Sequence, residues 1–264
     1  MSARIVLENA DLRAVHTVTY TEANIEGSSL GIKAGDRITI KNLLYGLMLV
    51  SGNDASYALA DATAGSVEGF VDMMNNKAKE LGLKNTHFTN PAGLSADEHY
   101  CSAYDLALIT SYALDNALFC EICSLIEYKI NLISPKKSIY LYNHNRLLRT
   151  YDGCIGVKTG YTERAGRCLV SAAKRRGQTL IAVTLNDGDD WKDHKKLLDY
   201  GSLSSAKYVC DFSKIKINVV GGTKKRIGVS AKYEIYLPKK CISKIKTVIC
   251  ADNHFLYAPI RKNS

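Results

Sequence analysis

No run among the 264 residues approaches the roughly eighteen apolar side chains of a membrane-crossing helix, so no span is read here. The longest apolar stretch, Leu43 to Val50, suits a buried helix instead. Nor does the start read as a signal peptide, because Glu8 and Asp11 interrupt it before a long apolar core can form. Ligand patterns are missing too. The six histidines (16, 87, 99, 144, 194 and 254) show no H-x-x-x-H spacing, so no metal and no cofactor is expected. The eight cysteines (101, 120, 123, 154, 168, 210, 241 and 250) form no framework, and Cys120-Glu-Ile-Cys123 is a lone C-x-x-C without a second pair. Buried free thiols are the expectation. Internal repeats and low-complexity tracts are also absent.

What is present is an ordinary globular composition, 46% hydrophobic and 23% charged, long enough to bury a core without staples. The net charge of +9 is unevenly placed. Residues 201–264 hold 13 Lys+Arg against 3 Asp+Glu, a net of +10, which leaves −1 for residues 1–200. Such asymmetry points to an anionic partner for the tail, an acidic membrane or wall polymer, or else to a solvated lysine-rich face. Nucleic acid is disfavoured, since no stacking aromatics interleave the lysines.

Residues 1–9 read as a helix already under way, and 15–40 as irregular to β. Thr39 caps a predicted helix over Ile40–Leu49, with Leu43, Leu44, Leu47 and Met48 on its apolar face. Further helices are expected at Asp54–Ala64, at Val67–Leu81 ended by Gly82, and at Ser102–Leu114. Residues 84–100 read as a long loop. Strands come next at Tyr140–Asn143, Gly153–Thr159, Arg167–Ala173 and Thr179–Leu185, the last two joined by the turn Arg175-Arg176-Gly177-Gln178. A final helix is predicted at Asp189–Tyr200, ending at Gly201. Beyond a boundary near 202–208, short β-like runs (215–220, 226–229, 233–236 and 242–249) predict a small all-β domain without helix period. The fold class is therefore α/β (α+β), with domains over 1–203 and 208–264.

Two triplets carry chemistry: Ser51-Gly52-Asn53 between two helices, and Lys158-Thr159-Gly160 at the end of a predicted strand. S-x-x-K with S-D-N and K-T-G marks penicillin-binding proteins and class A β-lactamases. Longer strings sharpen this, namely Leu43 through Ala60, Gly82-Leu-Lys-Asn-Thr-His-Phe-Thr-Asn-Pro-Ala-Gly-Leu94 and Gly156-Val-Lys-Thr-Gly-Tyr-Thr162. Through them, residues 1–203 resemble the D-alanyl-D-alanine carboxypeptidases of the low-molecular-weight penicillin-binding family. Residues 208–264, notably Ala258-Pro259-Ile260, resemble the start of that family's β-rich C-terminal domain.

The resemblance implies a β-lactamase/transpeptidase-like antiparallel sheet flanked by helices, with a helical subdomain. It also implies acyl transfer on peptidoglycan pentapeptides, with β-lactam antibiotics as further ligands, in an exported, envelope-associated protein. Ser51 would relay protons to the leaving amine, and Asn53 would hydrogen-bond the substrate amide. Lys158 and Thr159 would hold the terminal carboxylate. The strand after Gly160 would pair with the extended peptide, and the Tyr161 N–H would serve the oxyanion. The family's nucleophile and its lysine base sit in a Ser-x-x-Lys at a helix start, upstream of the Ser-Gly-Asn. Residues 1–12 resemble the family's segment just downstream of that motif, so it is expected before Met1. The S-x-x-K strings at Ser134, Ser171, Ser204, Ser213 and Ser243 all come after Ser51; Ser171 and Lys174 lie on or beside a strand, which sends them to opposite faces. The chain also closes inside the β domain without an anchoring helix, so one cut at both ends is expected. Relatives often place an arginine before the last helix of the first domain, where Asp189-Asp190-Trp191 stands here.

Three other readings stay open beside the carboxypeptidase. One is a catalytically dead module that holds muropeptides or penicillin through Asn53, Lys158 and Thr159. Another is a β-lactamase, against which the basic tail and the Ser-Gly-Asn count. The last is a fragment with an incomplete core.

Overall fold

A computed structural model describes residues 1–228, 232–246 and 255–257. The chain divides into two compact units, Met1–Asp199 and Tyr200–Ser264.

The first unit opens with α1 (Ser2–Asn9), β1 (Val15–Thr17), the single turn α2 (Tyr20–Ala23) and β2 (Arg37–Thr39), which pairs antiparallel with β1. Helix α3 (Ile40–Leu49) starts where the Thr39 hydroxyl accepts the Asn42 N–H at 3.2 Å. Its apolar face is buried: Leu43 and Leu44 have no exposed surface. Each such burial is worth about 1.5–3 kcal/mol. Helix α4 (Asn53–Ala64) ends on Gly65, whose φ of 76° only glycine adopts without strain. Helix α5 (Val67–Glu80) is capped by Ser66 and followed by Gly82 at φ 68°. Within the expected loop the two-residue strands β3 (Thr86–His87) and β4 (Tyr100–Cys101) pair. Ser102 caps α6 (Ala103–Leu114), accepting the Asp105 N–H.

Helix α7 (Ala117–Ser124) was not expected. Asn116 caps it through the Phe119 N–H, and Phe119, Ile122 and Cys123 turn inward. Strands β5 (Glu127–Asn131) and β6 (Ser138–Tyr142) form a hairpin, and α8 (Leu147–Thr150) is one turn. Then come β7 (Cys154–Thr162), β8 (Gly166–Arg175) and β9 (Gln178–Thr184), an antiparallel sheet in that order with β7 at an edge. Arg176 and Gly177 turn β8 into β9 with φ of 52° and 79°, the paired positive values a two-residue hairpin needs. Helix α9 (Asp190–Ser204) follows, and the first unit ends within it.

The second unit has β10 (Ser205–Asp211), β11 (Lys216–Val220), β12 (Arg226–Gly228), β13 (Lys232–Pro238), the turn α10 (Lys239–Ile242) and β14 (Phe255–Tyr257). β10 pairs antiparallel with β13. β11 lies between β12, antiparallel, and β14, parallel.

Several expectations are corrected. Helix α9 continues through Gly201, because one glycine costs a helix only about 1 kcal/mol. The Lys-Thr-Gly lies inside β7, which runs on to Thr162, rather than at a strand end. Lys239–Ile242 is helical where only β was expected. The seven described cysteines are free thiols, yet Cys123 alone among them is buried. Ala258-Pro259-Ile260, His254, Val229 and Cys250 lie outside the described residues.

Candidate active site

Ser51 sits at the break between α3 and α4 with φ 58°, a left-handed turn that aims its side chain out of the helical line. Gly52 follows because nothing larger fits. A Cβ there would lie 2.8 Å from Asp54 Oδ1 and 2.9 Å from the Leu30 backbone nitrogen. The break is held by Asp54, a carboxylate with no exposed surface. Its Oδ1 accepts the N–H groups of Leu30 and Ala55, both at 2.8 Å. Its Oδ2 accepts the Gly31 N–H at 2.9 Å, the Ile32 N–H at 3.3 Å and the Ser29 hydroxyl at 2.6 Å. One side chain thus ties residues 29–32 to the first turn of α4. Asn53 is buried beside it. Its backbone N–H donates to the Ser28 carbonyl and its Nδ2 to the Glu26 carbonyl, both at 2.7 Å.

Strand β7 reaches the same place from the other end of the chain. Helix α7 fixes it: the Cys123 thiol donates to the Ile155 carbonyl at 3.2 Å, and a Cβ on Gly156 would meet that sulfur at 2.8 Å. Lys158 then extends to Ser51, its Nζ donating to the Ser51 Oγ at 2.9 Å and to the Thr159 carbonyl at 2.9 Å. Burial lowers the Lys158 ammonium to about 8. Its charge, after burial, also keeps His144 below the usual histidine range. A lysine so placed can share a proton with Ser51 near neutral pH.

Along β7 the faces alternate. Lys158 and Gly160 point to one side, Thr159 and Tyr161 to the other, and Tyr161 is 70% exposed. Among the described residues β7 pairs with β8 alone, so its outer edge presents backbone groups that no strand engages. A turn bearing a hydroxyl, the lysine bonded to it and the outer edge of a strand thus stand together.

The structure therefore brings Ser51 and Lys158 together across 107 positions of sequence, with Asn53 on the same turn and Thr159, Gly160 and Tyr161 on the same strand. It separates Ser171 from Lys174. Ser171 is fully buried against His194 Nδ1 at 2.5 Å, while Lys174 is exposed. Sequence reasoning missed Asp54 and Glu26. An acidic residue just after a glycine-broken turn was the available signal for Asp54; the Glu26 carbonyl gave none.

Elsewhere, atoms of His16, Glu22 and Asp61 lie within 4.8 Å of one another, a grouping that H-x-x-x-H spacing does not reveal. His16 Nε2 already contacts both Glu22 oxygens at 3.0 and 3.1 Å, and Glu22 completes a capping box with Thr19. His16 and Glu22 are thus engaged with each other, and Glu22 with the start of α2. At the start of α9, Asp190 is buried and paired with Arg167, and the Arg146 guanidinium lies 5.9 Å over the half-buried Trp191 ring.

A helix-break serine bonded to the lysine of an edge-strand Lys-Thr-Gly defines a class, and comparison with known proteins agrees. The chain belongs to the D-alanyl-D-alanine carboxypeptidase family, whose model matches residues 3–189. It is 44% identical over 161 residues to the D-alanyl-D-alanine carboxypeptidase DacF of Bacillus subtilis, covering 61% of this chain and 41% of that one. It is 37% identical over 221 residues to the D-alanyl-D-alanine carboxypeptidase of Streptomyces sp. strain K15, covering 76% of each. The match to Escherichia coli DacA is 32% over 275 residues, 97% of this chain and 65% of that one. The chain thus spans less than half of the DacF relative. Among solved structures, the Streptomyces K15 DD-transpeptidase superposes with a TM-score of 0.71 at 35% identity, over 75% of this chain and 83% of that one. The mixed helix-and-sheet fold read from the sequence is the fold of these proteins.

Proposed function

We propose that this chain carries the substrate-holding side of a serine-type D-alanyl-D-alanine carboxypeptidase site, acting on peptidoglycan stem peptides. The observation that carries the reading is the 2.9 Å contact between Lys158 Nζ and Ser51 Oγ. In this reading a stem peptide lies along the open edge of β7 as an added strand. Asn53 meets its amide, Lys158 and Thr159 meet its terminal carboxylate, and the Tyr161 N–H meets the developing oxyanion. A nucleophilic serine gives its proton to the lysine of its Ser-x-x-Lys and forms an ester with the penultimate D-alanine, the C–N bond breaks, and the terminal D-alanine leaves with a proton passed from Lys158 through Ser51. Water then cleaves the ester. That serine is expected in a Ser-x-x-Lys, and Ser51 is the hydroxyl bonded to Lys158. Penicillins would occupy the same site. Residues 1–203 form the peptidase-type domain in this reading, and the lysine-rich residues of 208–264 face an anionic wall or membrane surface of the envelope. The excess of 13 basic over 3 acidic residues from 201 onward supports that last assignment.

Equilibrium binding of diacetyl-Lys-D-Ala-D-Ala and its L,L isomer tests the site. Selective binding of the D,D peptide, lost in Lys158→Ala, is expected; indifference to stereochemistry overturns the reading. Fluorescent penicillin separates chemistry from holding, because label that survives denaturation marks an acyl-enzyme.

A further inference from the structure

Resting on that reading, we propose that Arg167 is a further binding residue for the substrate's C-terminal carboxylate, beside Lys158 and Thr159, and is held in place by Asp190. Across the β7–β8 ladder Tyr161 lies opposite Arg167, and Thr159 opposite Leu169. Directly opposed residues share a face. Arg167 is therefore on the Thr159 and Tyr161 side of the sheet, while Lys158 and Gly160 take the other. A peptide end lying along the β7 edge meets a cation from each face.

The guanidinium is oriented before any ligand arrives. Arg167 Nη2 donates to Asp190 Oδ1 at 2.6 Å and Nε donates to Oδ2 at 3.2 Å. Asp190 is only 4% exposed, at the first position of α9, so its carboxylate has little freedom. The Arg167 side chain nonetheless keeps 44% of its surface open. A guanidinium has five N–H donors, and this pairing uses two. The remainder form a fork that suits a carboxylate. Lys158 is a less constant anchor: it already serves Ser51 and the Thr159 carbonyl, and burial lowers it to about 8. Arginine stays charged throughout that range. Asp190 offsets part of the attraction, so the direction of the fork, more than net charge, makes this a carboxylate site.

The test is equilibrium binding of diacetyl-Lys-D-Ala-D-Ala and of the same peptide closed as a C-terminal carboxamide, to the full chain and its variants. The readout is the ratio of the two affinities, which partial unfolding leaves unchanged because both peptides sample the same folded fraction. The wild type is expected to prefer the carboxylate. Arg167→Gln is expected to cut that preference about tenfold or more while carboxamide binding holds. Arg167→Lys keeps a charge for Asp190 but not the fork, and is expected to lose part of the preference. Asp190→Asn is expected to lower the ratio by releasing the fork, a change that a purely structural pairing would not produce. An unaltered ratio in either Arg167 variant overturns the assignment while leaving the proposed function standing. A wild type that binds neither peptide overturns the proposed function, and this assignment with it.

Discussion

Exchanging Asp54 for asparagine alters almost nothing in shape and reverses the chemistry of one atom. The native Oδ2 receives the Gly31 N–H, the Ile32 N–H and the Ser29 hydroxyl. In Asp54→Asn that oxygen, or by an amide flip the one facing Leu30 and Ala55, becomes an NH2 group pointed at donors. At least one buried backbone N–H then loses its acceptor, that of Ile32, or those of Leu30 and Ala55 after the flip; the Gly31 N–H keeps the Ser29 hydroxyl at 2.9 Å. Leaving a buried donor unsatisfied costs about 1–3 kcal/mol, so roughly 2 kcal/mol is expected. For a domain of this size 1 kcal/mol moves the midpoint by about 2–4 °C, which puts the variant about 4–8 °C below the wild type by calorimetry. Residues 26–32 also hold Asn53 through the Glu26 and Ser28 carbonyls, so D,D-peptide binding should weaken at temperatures where the protein remains folded. A variant melting within a degree of the wild type, with binding intact, would refute the clamp.

Two further outcomes stem from buried ionisable groups. His99, His144 and His194 are each held below the ordinary histidine range, burial being the first cause. Unfolded histidine protonates near pH 6.5 while these three resist, so the unfolded state binds more protons and stability should fall as pH drops below about 6.5. His194→Gln should show a smaller fall between about pH 7.5 and 5.5 in pH-resolved melts; an identical slope would remove His194 from the account. Lys158→Met deletes an ammonium whose burial is unfavourable, so its melting temperature should be no lower than that of the wild type while peptide binding is lost. A clearly lower midpoint would mean that the Ser51 contact outweighs the desolvation.

Much of the frame was readable because it rests on local chemistry. The Thr39 and Ser102 caps, the glycines after α4 and α5 and the positive-φ turn at Arg176-Gly177 act over a few residues, and each boundary fell at or within a residue or so of its signal. Helix α7 was not readable. With only eight residues it offers barely two turns of periodicity, and its reason to exist is the contact of Cys123 with β7. Gly201 misled for the opposite reason, since a weak local preference yields to the rest of a long helix.

Sequence alone determined the chemical vocabulary of this protein: a serine-bearing helix break, a Lys-Thr-Gly strand and an uneven charge, all set by residue identity and short spacings. Only the tertiary structure decided that Lys158 reaches Ser51, that Asp54 gathers the loop before α4, and that Arg167 stands on the Thr159 face with Asp190 behind it. The side-chain hydrogen bonds in those relations join residues 22 to 107 positions apart, and contacts at that range come from packing, while the face is set by strand register, which no local pattern encodes.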